Sequence, residues 1–127
     1  MTSPTGSPPA WSLPRIGSCR GCTVIVLAGV LDHTATGDLA AAVIASAPAC
    51  APRVVLDLAA VSFCDSSGIA AVIETLRALH ARDGRLVLAR PRPQTRQLIA
   101  RLALARFLIV HDTLETAITS LSRPARS

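Results

Sequence analysis

Val54-Val55-Leu56-Asp57-Leu58-Ala59-Ala60-Val61-Ser62-Phe63-Cys64-Asp65-Ser66-Ser67-Gly68-Ile69 is the stretch on which the fold turns. Arg53 to Leu58, with Val54, Val55 and Leu56 contiguous and Pro52 before it, predicts a buried strand. From Ser66 to about Ala81, Ile69, Val72, Ile73, Leu76 and Leu79 recur three and four residues apart. That spacing places them on one face of a helix, which Asp83-Gly84 ends. A strand that passes through a polar turn into an amphipathic helix is the repeating unit of a sheet covered by helices.

The flanking sequence repeats the unit. Cys22 to Ala28 is a second buried strand between Gly21 and Gly29, with an Arg20-Gly21 turn leading back to an edge strand near Leu13 to Cys19. Thr34 to Ala47 carries Leu39, Ala42 and Val43 at helical spacing and stops before Pro48. Leu86 to Ala89 predicts another inner strand, Pro91 and Pro93 introduce a helix with Leu98, Ile99 and Leu102, and Phe107 to Val110 predicts the last strand. Asp112 and Glu115, three residues apart, have the form of a capping box for a closing helix bearing Leu114, Ala117, Ile118 and Leu121. The expected fold is α/β: one domain from Leu13 to Leu121, with about five strands in a mixed, mainly parallel sheet and about four helices. Residues 1–12, rich in Ser, Thr, Pro and Gly, are expected to form a disordered tail, and residues 122–127 a frayed end.

In open sheets of this kind function gathers where a strand's carboxyl end meets the next helix, which directs attention to Asp65-Ser66-Ser67-Gly68. Taken alone, Asp65, Ser66 and Ser67 are ordinary helix-capping residues, and Gly68 a site of close packing. The quoted stretch nevertheless resembles the central motif of the STAS domain family, whose best-known members are bacterial anti-sigma factor antagonists. Leu27-Ala28-Gly29-Val30-Leu31-Asp32 is similar to the same family's Leu-x-Gly-Glu-Leu-Asp, with Val30 in place of the usual Glu. The order of elements agrees from about Leu13 to Leu121.

That resemblance implies a phosphorylation-switched binding module rather than an enzyme. In the family the serine after the motif's Asp, Ser66 here, is phosphorylated by an anti-sigma factor that is also a serine kinase. The unphosphorylated protein holds that kinase and so releases a sigma factor, and a serine phosphatase resets the modified form. Asp32, Asp65, Ser66, Ser67 and Gly68 are the expected partner-binding residues, although Asp32 or Thr34 equally suits a cap on the first helix. The alternative within the same fold is a structural STAS subunit of a signalling scaffold or of a lipid-transport complex.

Physical chemistry agrees with a serine switch. A helix's first turn offers free N–H groups and the positive end of the dipole, so it accommodates phosphate in place. The added charge, roughly −1.5 to −2, instead disturbs whatever docks there.

Other classes find less support. Phe63, Phe107 and Trp11 are the only aromatic residues, too few for stacking unpaired bases, so no direct nucleic-acid binding is expected. The net charge is +5, from 13 basic residues, all arginine, and 8 acidic ones. Eight of those arginines fall between Arg77 and Arg106 and read as solvated faces, or else as a basic surface for an acidic partner. No apolar run reaches the ~18 to 20 residues of a membrane span, and residues 1–14 lack the pattern of a secretory signal. A cytoplasmic location without membrane insertion, and four reduced cysteines, are therefore expected. Cys19 and Cys22 form a C-x-x-C pair, but Cys50 and Cys64 make no second one and the histidines are scattered, so no metal site is expected. Cys64 reads as a small buried filler. Cys64-Asp65-Ser66-Ser67-Gly68 lacks the Gly-x-Ser-x-Gly elbow of hydrolases, and there is no Gly-rich phosphate loop. No catalytic residue and no cofactor are expected.

Overall fold

The structure is a computed structural model that describes residues 10–122. A hairpin of two strands is followed by alternating helices and strands: β1 (Trp11–Cys19), β2 (Cys22–Leu31), α1 (Asp38–Ser46), β3 (Arg53–Cys64), α2 (Ser66–His80), β4 (Arg85–Ala89), α3 (Pro93–Arg101), β5 (Val110–His111) and α4 (Leu114–Leu121). They form one sheet in the order β1-β2-β3-β4-β5, with β1 antiparallel to β2 and the other pairs parallel. This is the mixed, mainly parallel α/β sheet expected from the sequence.

Successive strand residues point to opposite faces, and two separate cores follow from that alternation. Val54, Leu56 and Leu58 of β3, with Leu86 and Leu88 of β4, pack against Leu39, Val43, Ile69, Val72, Leu79 and Ile99 of α1, α2 and α3. Val55, Val87 and Ala89 face the other way and meet Ala117, Ile118 and Leu121 of α4. Strands added one after another in the same direction by right-handed crossovers keep their connecting helices on one side, which leaves α4 to cover the other. Each fully buried Leu, Ile or Val in these layers contributes about 1.5 to 3 kcal/mol.

Several boundaries differ from the sequence expectation. β1 begins at Trp11, so residues 10–12 of the expected tail are held: the Val30 N–H donates to the Ala10 carbonyl at 2.9 Å, and Trp11 pairs with Gly29. Gly29, at φ +99, permits this approach, since a Cβ there would collide with the Ala10 carbonyl oxygen. Residues 1–9 and 123–127, the rest of the expected tail and frayed end, lie outside the described residues. The single helix expected from Thr34 is instead a 3-10 turn, His33–Ala35, followed by α1, because Thr36 is extended and Gly37 takes φ +78. β3 runs six residues beyond Leu58, to Cys64. The last strand is Val110–His111 rather than Phe107–Val110; the chain before it turns instead, the Phe107 and Leu108 N–H groups both donating to the Leu104 carbonyl. The cap of α4 is Thr113, whose hydroxyl accepts from the Thr116 N–H at 3.1 Å. Asp112 is engaged elsewhere, accepting from Arg96 Nη2 at 2.7 Å.

Candidate functional site

Parallel pairing of β2 with β3 sets Leu31 beside Cys64, so Asp32 and Asp65 leave the sheet at the ends of neighbouring strands. The Asp65 N–H still reaches back to the Leu31 carbonyl at 3.2 Å. Asp65 is extended (φ −108, ψ −175), and its Oδ1 accepts from the Gly68 N–H at 2.9 Å, making it the N-cap of α2. Gly68 is buried where α2 meets β2: a Cβ there would strike the Leu31 carbonyl oxygen and lie 2.8 Å from its carbon and 2.9 Å from Cys64 Sγ. Helix and strand are thus in backbone contact, which no other residue type permits without displacement.

Ser66 is the first residue of α2 and is exposed, Ser67 is half-buried, and Asp65 takes the cap that either serine could have supplied. The N–H groups of Ser66 and Ser67 belong to the four that a helix start leaves without an intrahelical acceptor. An exposed hydroxyl therefore stands beside free backbone donors, at the positive end of a 15-residue helix.

Asp32 caps the 3-10 turn. Its Oδ1 accepts from Thr34 Oγ1 at 2.6 Å and from the Thr34 N–H at 3.0 Å. The Thr34 hydroxyl first, and its N–H second, hold the Asp32 carboxyl below the usual aspartate value. Of the two capping candidates on this loop, Asp32 has the role and Thr34 is its donor. All five expected site residues gather at one end of the sheet: Asp32 after β2, and Asp65 to Gly68 after β3.

Three further residues shape this edge. Gln94, near the start of α3, clamps the last residue of β3: the Cys64 N–H donates to its Oε1 at 3.0 Å, and its Nε2 donates to the Cys64 carbonyl at 2.8 Å. Glu74 of α2 accepts from the Gly37 N–H at 2.9 Å, tying the start of α1 to the second turn beyond Ser66. Phe63 is 47% exposed, directly before the turn, an aromatic ring left outside both cores. The first two are contacts between residues 30 and 37 positions apart, for which local pattern carries no signal. Phe63 was readable only as part of the motif.

Asp57, 1% exposed in β3, is held by Arg90, whose Nη2 and Nε donate to its two oxygens at 2.6 and 3.2 Å. That bond raises the Arg90 guanidinium above its usual value. Burial first, and the Asp65 carboxylate second, push the Cys64 thiol up to about 12, so this cysteine packs rather than reacts. Among the described residues no three His, Cys, Asp or Glu side chains gather in a way that would hold a metal ion, and no helix is long and apolar enough to cross a membrane.

Comparison with known proteins follows the same lines. The sequence profile of the STAS domain matches residues 11–117. A search of curated proteins found no match. An anti-sigma factor antagonist from Mycobacterium paratuberculosis superposes with a TM-score of 0.73 at 25% identity, over 92% of this chain and 98% of that one. The anti-sigma factor antagonist SpoIIAA in its unphosphorylated form gives 0.64 at 29% identity, over 84% and 93%. The Bacillus cell fate determinant SpoIIAA in the phosphorylated form gives 0.57 at 30%, over 84% and 96%.

Proposed function

Because the chain belongs to the STAS domain family, we propose that it is an anti-sigma factor antagonist whose partner binding is switched by phosphorylation of Ser66. The observation that carries this reading is the exposed Ser66 at the first position of α2, beside a cap already filled by Asp65. The partner is a serine-kinase anti-sigma factor, held by the unphosphorylated protein through Asp32, Asp65, Ser66, Ser67 and Gly68, so that a sigma factor is freed. A serine phosphatase returns the modified protein to its binding form.

The mechanism is an interface effect. Phosphate on Ser66 meets the free N–H groups and dipole of α2, so the domain keeps its fold. The partner, however, must now desolvate a hydrated dianion that stands beside the Asp65 carboxylate. A loss of about 3 to 4 kcal/mol lowers affinity by a few hundredfold. The protein itself contributes no catalysis in this cycle: the transferred phosphoryl group comes from the partner's nucleotide. A bacterial cytoplasm is the setting in which such a cycle operates.

The test is a pull-down with wild-type, Ser66→Ala and Ser66→Asp proteins, followed by ATP. Wild type and Ser66→Ala are expected to capture the same kinase, ATP to place one phosphate on Ser66 of the wild type, and Ser66→Asp to capture little. Equal capture by all three, with no phosphate at Ser66, contradicts the reading and leaves the structural-subunit alternative.

A further inference from the structure

The hairpin joining β1 to β2 has no part in the switch, yet it carries two thiols. Arg20 (φ +51) and Gly21 (φ +81) both lie in the left-handed region, the geometry of a tight two-residue hairpin turn, and Cys19 and Cys22 oppose each other in register across it. Residues so opposed present their side chains on the same face, with Cα atoms about 5.5 Å apart in the hydrogen-bonded pair that flanks such a turn. Disulfides bridge Cα separations of roughly 4.4 to 6.8 Å. The two thiols are unequal. Cys19 is exposed, whereas Cys22 is buried against the end of α4, with Sγ 3.8 Å from the Ile118 carbonyl and 3.9 Å from the Ser122 hydroxyl. The turn is itself docked on α4, since Arg20 Nη2 donates to Thr119 Oγ1 at 3.3 Å and lies 3.9 Å from Glu115.

We infer that Cys19 and Cys22 form a second modification site, a dithiol that hydrogen peroxide closes to a disulfide across the hairpin. The exposed Cys19 sulfur attacks one peroxide oxygen: the O–O bond breaks, an S–O bond forms, and one water leaves as Cys19 becomes a sulfenic acid. The Cys22 sulfur then attacks Cys19 sulfur, the S–S bond replaces the S–O bond, and the displaced hydroxide departs as a second water with the Cys22 proton. Two thiols are oxidised and one peroxide is reduced to two waters. Closure draws the Cys22 sulfur away from the Ile118 carbonyl and Ser122 hydroxyl, so the last turn of α4 loses a contact.

Cys22 opens β2, whereas Ser66 follows β3 where that strand ends beside Leu31, so the two sites stand at opposite ends of the sheet. The two modifications are therefore independent. Cys64, buried and shielded as a thiol, is spared. Cys50, also exposed, is removed from the test by substitution.

The experiment treats the full chain carrying Cys50→Ser with hydrogen peroxide, alkylates remaining thiols in urea, and digests with trypsin. Cleavage after Arg20 separates the two cysteines, so a disulfide leaves peptides 16–20 and 21–53 joined, two hydrogens lighter than their sum. The joined pair is expected as the main product, absent when Cys19→Ser is added, and formed to the same extent in a Ser66→Asp background. Cys19→Ser alters an exposed position and leaves the buried Cys22 in place. Recovery of alkylated Cys22 from oxidised protein, with Cys19 over-oxidised or joined to a second chain, overturns the inference.

Discussion

α1 and α2 begin at the same end of the sheet and are built in opposite ways. The start of α2 is fixed from three sides: Asp65 caps it, Gly68 seats it against the Leu31 carbonyl, and Gln94 clamps the preceding residue. The start of α1 has Gly37 as N-cap with no capping side chain, and the Glu74 carboxylate of α2 supplies an acceptor for the Gly37 N–H. One helix is anchored by its own strand and the other leans on its neighbour. The switch proposed for Ser66 sits on the anchored start, where modification is expected to change the surface without moving the backbone beneath it. Under the proposed function, the loop from Asp32 to Gly37, held by Thr34 and Glu74 rather than by its own strand, is the side left to adjust to a partner.

Breaking the anchored start gives the largest effect. Gly68→Ala gains about 1 kcal/mol of helix propensity but drives a Cβ into the Leu31 carbonyl and against Cys64 Sγ. A net loss of about 2 kcal/mol is expected in urea unfolding, with partner binding lost as α2 shifts. Gln94→Ala leaves the Cys64 N–H and carbonyl without their partners and should cost about 1 to 2 kcal/mol by the same measurement. Asp65→Ala removes the cap and is expected to cost about 1 kcal/mol, of which Asp65→Asn recovers most, because an amide oxygen caps almost as well.

The adjustable side yields the smallest effect, read as a titration. Asp32 has a carboxyl held below the ordinary value of 3.8 by Thr34. Its hydrogen bonds to Thr34 are therefore present above that value and are lost as pH falls through the lower, folded one. The Thr34 amide resonance is expected to titrate with a midpoint below 3.8, and in Thr34→Ala the Asp32 carboxyl is expected to move back toward it. A midpoint at or above 3.8 in the wild type contradicts the cap.

The anchored region was also the more legible one. Ile69, Val72 and Leu79 repeat at helical spacing and are all buried, and the turn residues before them carry the family motif. The start of α1 was misplaced because Thr34 to Ala47 keeps its apolar spacing across the break, where extended Thr36 ends the 3-10 turn and Gly37, at φ +78, begins α1. The β5 region misled for a different reason: Phe107 and Ile109 look like core residues but are 59% and 48% exposed, since the chain still turns at Phe107 and Leu108 and first meets β4 at Ile109, whose carbonyl accepts from the Leu88 N–H. The Gln94 clamp was invisible because both its hydrogen bonds span 30 residues and exist only after α3 has folded back on the sheet.

The most direct test of the switch is to phosphorylate the protein with its captured kinase, locate the phosphate, and measure that kinase's Kd for both forms alongside amide spectra. The expected result is one phosphate on Ser66, spectral change confined to residues around Asp32 and Asp65 to Ile69, and a Kd raised by about a few hundredfold. Phosphate elsewhere than Ser66, or equal affinity of the two forms, contradicts the account.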